Sequence, residues 1–273
     1  MAFSCVAVPA PSLLGFRRSV FIFAVRRMLQ SLAIAFGFLT RLPVKNALAE
    51  DVDLGRSLSW FPIVGMVLGL ALVGTERLLR GYLPSDLMAV GLVALLAAIT
   101  GGLHLDGLAD VSDAFGGGRG DRRRMLAIMK DSRIGAHGAT VLCLFVIAKV
   151  FTVMTVLRHD AVWQLFAFPI LARWAVIPLV IFFPYVRVEG LGKPFHRHGR
   201  PLHFAVATCL TLALVAWTGV RIIVPGASAL AVALGMGVWL KRRLGGLTGD
   251  VYGAAIELSE IVFLVVAGLG DGR

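Results

Sequence analysis

Charged residues and cysteines are both scarce in this sequence. Only 16% of its 273 residues are Asp, Glu, Lys or Arg, against about 25% in an ordinary soluble domain. Its three cysteines form no C-x-x-C pair, which argues against a disulfide framework and a zinc site. Hydrophobic residues make up 58% of the chain and the mean hydropathy is +0.84. The composition excludes an ordinary soluble domain and indicates an integral membrane protein.

Acidic residues are the minority among the charges, with 16 Asp and Glu against 27 Lys and Arg. The basic residues stand in short groups between hydrophobic runs rather than on one soluble domain, so we expect no nucleic-acid partner. We expect the lipid bilayer to be the partner instead. An all-α, polytopic membrane bundle of about seven spans is predicted from runs near the roughly 20 residues that a helical span needs. These runs are 58–79, 87–105, 139–157, 161–184, 203–219, 222–240 and 250–269.

The distribution of Lys and Arg predicts the orientation of the bundle. The segment before the first span and three loops hold 20 of the 27 basic residues; these loops are 106–138, 185–202 and 241–249. Cytoplasmic loops carry such an excess, so the N-terminus and these loops are expected in the cytoplasm. The loop 185–202 is expected to be solvated and to face a substrate or lipid headgroups.

The N-terminal part lacks a secretory cleavage pattern, and no cleaved signal peptide is predicted. Residues 1–28 are interpreted as an extension, with Met28 as an alternative start, and 29–273 as one membrane domain. Residues 29–39 are apolar but too short to span the bilayer, and Pro43 follows. They predict an interfacial or re-entrant helix that stops before the proline.

One polar passage interrupts the apolar sequence, G-G-L-H-L-D-G-L-A-D-V-S-D at 101–113. On a helix, Asp106, Asp110 and Asp113 are spaced i, i+4, i+7 and line one face. Three such carboxylates repel one another unless a divalent cation lies between them, which suits Mg²⁺. A solvated acidic helix end is the alternative, but membrane flanks in the cytoplasm more often carry Lys and Arg. His104 lies off this face and is either a hydrogen-bonded packing residue, a ligand or a proton carrier.

The residues after this passage predict a loop and then a short helix. Gly116 to Gly120 reads as a plain loop, and 121–130 as an amphipathic helix with Met125 and Met129 in the lipid interface. Next comes M-K-D-S-R-I-G at 129–135. Lys130 and Arg133 suit a phosphate group, whereas Asp131 or Ser132 could instead cap the next helix.

A third polar stretch, G-G-L-T-G-D at 245–250, leads into a span that contains Glu257. An ionisable group at membrane depth is a functional candidate because an unpaired one costs at least about 2.5–3.5 kcal/mol. The alternative for Glu257 is a structural pair with Arg173 or Lys149, and Arg173 could equally face an anionic substrate.

Together the three ordered motifs resemble the cobalamin synthase family, the adenosylcobinamide-GDP ribazoletransferases of the bacterial inner membrane. They read G-G-L-H-L-D-G-L-A-D-x-x-D at 101–113, M-K-D-S-R-I-G-x-H-G at 129–138 and G-G-L-T-G-D-x-x-G-A-x-x-E at 245–257. The likeness covers roughly residues 29–269. Ala114 and Phe115 depart from the pattern, which has Gly-Leu after the last aspartate, so the shape of the following loop is in doubt.

The resemblance implies a Mg²⁺-dependent transfer. A ribose hydroxyl of α-ribazole, or of its 5′-phosphate, attacks the phosphate on the cobinamide side chain of adenosylcobinamide-GDP, and GMP leaves. The resemblance further implies the following site residues: Asp106, Asp110 and Asp113 hold the metal; one of His104, Asp131 and Asp250 accepts the proton; and Lys130, Ser132, Arg133, Thr248, Glu257 and Arg173 contact substrate.

Two alternatives of other kinds are weighed. A CDP-alcohol phosphotransferase also carries D-G followed by aspartates on membrane helices, but its D-G-x-x-A-R and G-x-x-x-D-x-x-x-D pattern is not met. An ion or solute transporter could use Glu257, Arg173 and the aspartates, and would predict symmetry-related broken helices that the sequence does not reveal. A homo-oligomer is compatible with the sequence, which does not determine the oligomeric state.

Overall fold

The chain folds into helices throughout the part that the computed structural model describes, which is residues 13–43, 51–190 and 192–271. No β-strand occurs in these ranges, so the predicted all-α class is confirmed. Two 3₁₀ segments, Leu58–Trp60 and Ala216–Ile222, join longer helices. The α-helices are α1 Leu13–Leu39, α2 Asp51–Ser57, α3 Phe61–Leu79, α4 Ser85–Thr100, α5 Leu103–Gly118, α6 Arg122–Ile128, α7 Ala136–Arg158, α8 Val162–Ala175, α9 Ile177–Phe182, α10 Lys193–His198, α11 Pro201–Val215, α12 Ile223–Leu244 and α13 Gly249–Asp271.

Four of the seven predicted spans correspond to single helical segments that are long and apolar enough to cross a membrane. Five continuous segments qualify within the described ranges, namely Asp53–Leu79, Ala136–Arg158, Val162–Phe182, Pro201–Leu244 and Gly249–Gly270. The bent pair of α4 and α5 is a sixth candidate. The segment Pro201–Leu244 has 44 residues, about twice what one span needs, and its backbone breaks at Gly219 (φ 63°, ψ −148°). The predicted count of seven therefore stays a prediction.

The predicted span at 87–105 is wrong at its C-terminal end. Gly101 and Gly102 both adopt left-handed backbone conformations, with φ of 66° and 71°, which residues with a side chain rarely tolerate. The chain turns there by 90° between α4 and α5. The three aspartates therefore lie on a helix of their own, set across the end of the preceding span.

The N-terminal helix is longer than predicted. It runs without a break from Leu13 to Leu39, across the predicted boundary at residue 28, and ends where the sequence placed the stop. The hydroxyl of Thr40 bonds to the Phe36 carbonyl at 2.7 Å and closes the last turn. Trp60 donates its indole N–H to the Ser31 hydroxyl at 3.0 Å, which ties α1 to the start of α3.

Ion pairs mark one end of the bundle. Arg80 bonds to Asp160 at 2.5 Å and Arg158 to Asp86 at 3.0 Å, so the α3–α4 and α7–α8 turns meet there. The other end gathers α5, α6, the start of α7, the segment after α9 and the α12–α13 turn. The basic loops of the sequence converge on that second end, together with the three polar motifs.

Two predictions after residue 113 are wrong. Residues 116–118 are helical rather than a loop. A side chain on Gly116 would overlap the His137 ring and one on Gly118 would overlap Met125, so glycine at these positions lets α5 pack closely against its neighbours. Met125 and Met129 are buried in the protein and do not reach into the lipid interface. The short helix itself was predicted correctly, and Asp121 caps it through two backbone N–H groups.

Candidate active site

Asp113 ties the aspartate helix to the start of α7. One of its carboxylate oxygens accepts the backbone N–H of Gly135 at 2.7 Å, and the other accepts that of Gly138 at 2.8 Å. The side chain is 8% exposed, and helix N-termini favour a negative charge of this kind. Asp113 is therefore an anchor in this fold. Its predicted role as a metal ligand stays a prediction.

Gly138 is required for this contact, and we expect Gly138→Ala to damage both stability and activity. The new methyl group would overlap an oxygen of Asp113 and lie 2.8 Å from the carbonyl of Ala109. Overpacking of this kind typically costs about 1–3 kcal/mol, and here it separates α5 from α7. Thermal unfolding in detergent and turnover in membranes measure the two effects. Gly74→Ala on α3 is the matched control because nothing lies within 4 Å of the added carbon, so unchanged or raised stability is expected there.

Asp250 occupies the first turn of α13 and is held by Arg187. Arg187 donates to Asp250 at 2.5 Å and, through the same nitrogen, to the carbonyl of Met129 at 3.0 Å. Thr248 adds a bond to Asp250 at 3.3 Å and caps α13 through the Val251 N–H. One guanidinium thus joins the loop after α6 to the helix that carries Asp250.

The backbone brings Arg187 to this position. Leu247 donates its N–H to the Pro184 carbonyl at 2.7 Å, and Val186 donates to the Leu247 carbonyl at 2.9 Å. These two bonds lay the segment after α9 alongside the turn before α13. The sequence placed Arg187 only in a basic loop, so it was missed as a site residue; no local pattern separates it from the other cations of that loop.

Asp106 and Asp110 lie one turn apart on α5 and face Asp250. A side chain on Gly107 would come within 2.6 Å of the Asp250 carbonyl, so α5 and α13 touch at this point. Asp110 interacts electrostatically with Asp106, Asp113 and Asp250, and with one cation, Arg187. Four carboxylates thus lie near one guanidinium, which leaves an excess of negative charge that a divalent cation would balance.

The donor set fits a metal that uses few protein ligands. In the described ranges no group of three or more His, Cys, Asp or Glu side chains could hold a metal ion by itself. Magnesium is usually bound through one or two carboxylates, with water and substrate phosphate completing its shell. Asp106 is exposed and Asp110 half-buried on one helix face, and these two carboxylates match that requirement.

The loop 129–135 borders the site but presents its charged side chains to solvent. Lys130, Ser132 and Arg133 are exposed. Arg133 bonds to Asp131 through its guanidinium, at 2.6 and 3.0 Å, and these bonds lower the pKa of Asp131 to about 2. A carboxyl with such a pKa is a weak proton acceptor at neutral pH. Among the three candidates for the general base, Asp131 is therefore the least suited.

Glu257 and Arg173 lie in a buried ion network instead of facing a cavity. Lys149 bonds to Glu257 at 2.6 Å and also to Glu260, and Arg173 bonds to Glu260. All four side chains are at least 95% buried. The network holds two positive and two negative charges, as a low-dielectric interior requires. The structural pairing considered for Glu257 is thus the arrangement observed.

His104 connects this network with the candidate site. Its side chain is buried, and neither ring nitrogen has a hydrogen-bond partner among the described residues. It lies within electrostatic range of Arg173, Glu260 and Lys149. Gly253 packs against its backbone, because a side chain on Gly253 would come within 3.2 Å of the His104 Cα.

Two cavities meet beside Asp106. The larger has a volume of about 1210 Å³ and the smaller about 260 Å³. The residues that line both are Phe38, Leu103, Asp106 and Gly190. Arg187, Asp250 and His104 line the smaller one only. Asp106 therefore lies on the boundary between two spaces that could each hold a ligand.

Comparisons with known proteins find relatives along most of the chain. A family model for cobalamin-5-phosphate synthase matches residues 31–268. The chain is 40% identical to an adenosylcobinamide-GDP ribazoletransferase of Pseudomonas paraeruginosa over 252 residues, which is 90% of this chain and all of the relative. It is 41% identical to that of Ectopseudomonas mendocina over 243 residues, 86% of this chain and 97% of the relative. It is 38% identical to the adenosylcobinamide-GDP ribazoletransferase of Geotalea daltonii over 251 residues, which is 90% of this chain and all of the relative. No solved structure matches.

Proposed function

Because the chain belongs to the cobalamin-5-phosphate synthase family, we propose that it joins adenosylcobinamide-GDP to α-ribazole, or to α-ribazole 5′-phosphate, and releases GMP. The ribose hydroxyl oxygen forms a bond to the phosphorus next to the cobinamide side chain. The bond from that phosphorus to the bridging oxygen breaks, and GMP departs with this oxygen. The proton of the hydroxyl passes to a base.

The observation that carries the proposal is the position of Asp106. It lies where the two cavities meet, beside Asp110 and opposite Asp250 and Arg187. A transfer between two bound substrates needs one point that both can reach, with charge to position the phosphate. The chain supplies such a point at the end of the bundle where its polar motifs converge.

Asp106 and Asp110 are the residues that would hold Mg²⁺. Bound there, the ion would offset the negative charge of the diphosphate. Arg187 is positioned to neutralise a phosphate oxygen. Lys130 and Arg133 are exposed on the loop 129–135, where they would bind the diphosphate as it enters the site. His104 and Asp250 both line the smaller cavity, which makes them better placed than Asp131 to accept the proton.

We place this end of the bundle on the cytoplasmic side of the bacterial inner membrane. The basic loops at 106–138, 185–202 and 241–249 supply the support, because Lys and Arg accumulate on the cytoplasmic side of membrane proteins. Cysteine substitution at Arg119, in the first of these loops, tests the orientation in a variant whose own cysteines are replaced by serine. A membrane-impermeant thiol reagent is expected to label this residue only after the membrane is opened.

Metal removal tests the proposed function. Membranes that contain the protein are expected to convert adenosylcobinamide-GDP and α-ribazole to adenosylcobalamin and GMP when Mg²⁺ is present. EDTA should stop the reaction, and added Mg²⁺ should restore it. The reason is that the positively charged side chains at the site are too few to balance the negative charge of the diphosphate. Product formation is followed by chromatography of GMP. Full turnover in EDTA would refute the metal role, and solute movement in liposomes without GMP release would favour a transporter.

A further inference from the structure

The smaller cavity has several aromatic side chains in its walls. Phe38, Tyr185 and Tyr252 line it together with the imidazole of His104 and the side chain of Ile256. The rings of Tyr185 and Tyr252 lie 6.2 Å apart at an interplanar angle of 36°. A planar aromatic group stacks favourably on such surfaces. The walls thus favour a flat ring system over a flexible chain.

Polar atoms that lack partners belong to side chains lining this cavity. The Tyr252 hydroxyl, both ring nitrogens of His104 and the Nε of Arg187 have no hydrogen-bond partner among the described residues. Tyr252 is 4% and His104 2% exposed, so water from outside does not easily satisfy them. Buried polar groups without a partner cost free energy. These atoms are enclosed in the wall of the cavity, so a ligand with hydroxyl groups or ring nitrogens would supply the missing bonds once the side chains rotate toward it.

The larger cavity differs in size and wall chemistry. At about 1210 Å³ it exceeds the roughly 300–1,000 Å³ of most small-molecule sites, whereas 260 Å³ is just below that range. Its walls include aliphatic side chains of α1, α2, α5 and α7, such as Ile34, Leu54, Leu105 and Leu142. Arg41 and Thr40 add polar groups at the end of α1.

We infer that the two cavities divide the substrates: the smaller binds the aromatic nucleoside that attacks, and the larger binds the corrinoid-linked nucleotide that is attacked. This division of the substrates rests on the proposed function and assigns each substrate to one of the two cavities. Asp106 then lies at the boundary of the two cavities, where the nucleoside hydroxyl meets the phosphate. Asp250, on the smaller side, faces the attacking hydroxyl, and Arg187 beside it faces the phosphate at the boundary.

Matched substitutions of one aliphatic residue in each cavity test the division. Ile256→Phe narrows the smaller cavity and is expected to raise the KM for α-ribazole about tenfold or more, with little change in the KM for adenosylcobinamide-GDP. Leu142→Phe, in the larger cavity, should give the reverse. Each KM is measured in proteoliposomes with the other substrate saturating. Tyr252→Phe removes a hydroxyl without changing the ring, and should raise only the KM for α-ribazole, about tenfold, even if Ile256→Phe fails to fold.

The outcomes separate this division from the proposed function. The division alone would be overturned if the wild-type protein releases GMP but the variants change both KM values equally, or change them in the direction opposite to the one expected. Absence of GMP release from folded wild-type protein supplied with both substrates and Mg²⁺ would overturn the proposed function and the division with it. A split of the two KM values in the stated directions supports both.

Discussion

Asp106→Asn is expected to lower kcat by about 10²–10³-fold or more and to raise the Mg²⁺ concentration needed for half-maximal activity. The substitution keeps the size of the side chain but removes a negative charge at the boundary of the two cavities. Stability should not fall, because Asp106 is exposed and like charges at i, i+4 repel Asp110. Turnover across a Mg²⁺ titration and thermal unfolding in detergent measure the two effects.

Asp86→Asn is the matched control for this experiment. Asp86 is 67% exposed and, among the described residues, pairs only with the exposed Arg158, at the opposite end of the bundle. An exposed pair of this kind contributes about 0.2–1 kcal/mol at most, so turnover should stay close to that of the wild type. Near-normal turnover and an unchanged Mg²⁺ requirement in Asp106→Asn would contradict the metal role and favour the alternative, a solvated acidic helix end without a catalytic role.

Lys149→Met is expected to destabilise the protein by about 3–5 kcal/mol, the largest effect on stability among these substitutions. Lys149 is 3% exposed and bonds to both Glu257 and Glu260. Its removal leaves one negative charge in excess inside the bundle, while Arg173 still pairs with Glu260. A lowered unfolding temperature and a smaller yield of monodisperse protein in detergent would report the loss. Lys241→Met, in an exposed position at the end of α12, serves as control and should leave the unfolding temperature unchanged.

The double variant Lys149→Met, Glu257→Gln separates a structural from a catalytic role of Glu257. It removes one charge of each sign, so the network returns to neutrality with Arg173 and Glu260 as the remaining pair. Stability should recover in part relative to Lys149→Met alone. Recovery of stability together with turnover would make Glu257 structural, whereas recovery of stability alone would support its predicted contact with substrate. No recovery would contradict the charge balance proposed for this network.

The helical spans were predictable because hydropathy is a local property. The run predicted at 139–157 is found as Ala136–Arg158, and the one at 250–269 as Gly249–Asp271. The prediction failed where two glycines stand in sequence, since their left-handed backbone turns α4 into α5 by 90°. Glycine is also compatible with a continuous apolar helix, so periodicity did not reveal the turn.

The candidate site was predictable as a set of polar stretches but not as a geometry. Asp106, Asp110 and Asp113 share a helix face as their spacing requires, yet only the structure distinguishes them. Asp113 is held by Gly135 and Gly138 at the start of α7, and Asp106 is exposed between the cavities. Arg187 gave no signal of its own, because its partners lie on the turn after α6 and at the start of α13.

The sequence by itself determined that this is an all-α membrane protein of the cobalamin-5-phosphate synthase family. It did so because apolar runs, motif spacing and the placement of Lys and Arg are read along the chain. Only the tertiary structure decided which acidic side chains are paired and which remain available. Glu257 meets Lys149 across 108 positions and Arg187 meets Asp250 across 63. The role of a carboxylate depends on the charges packed around it, and only the folding of distant segments brings those charges together.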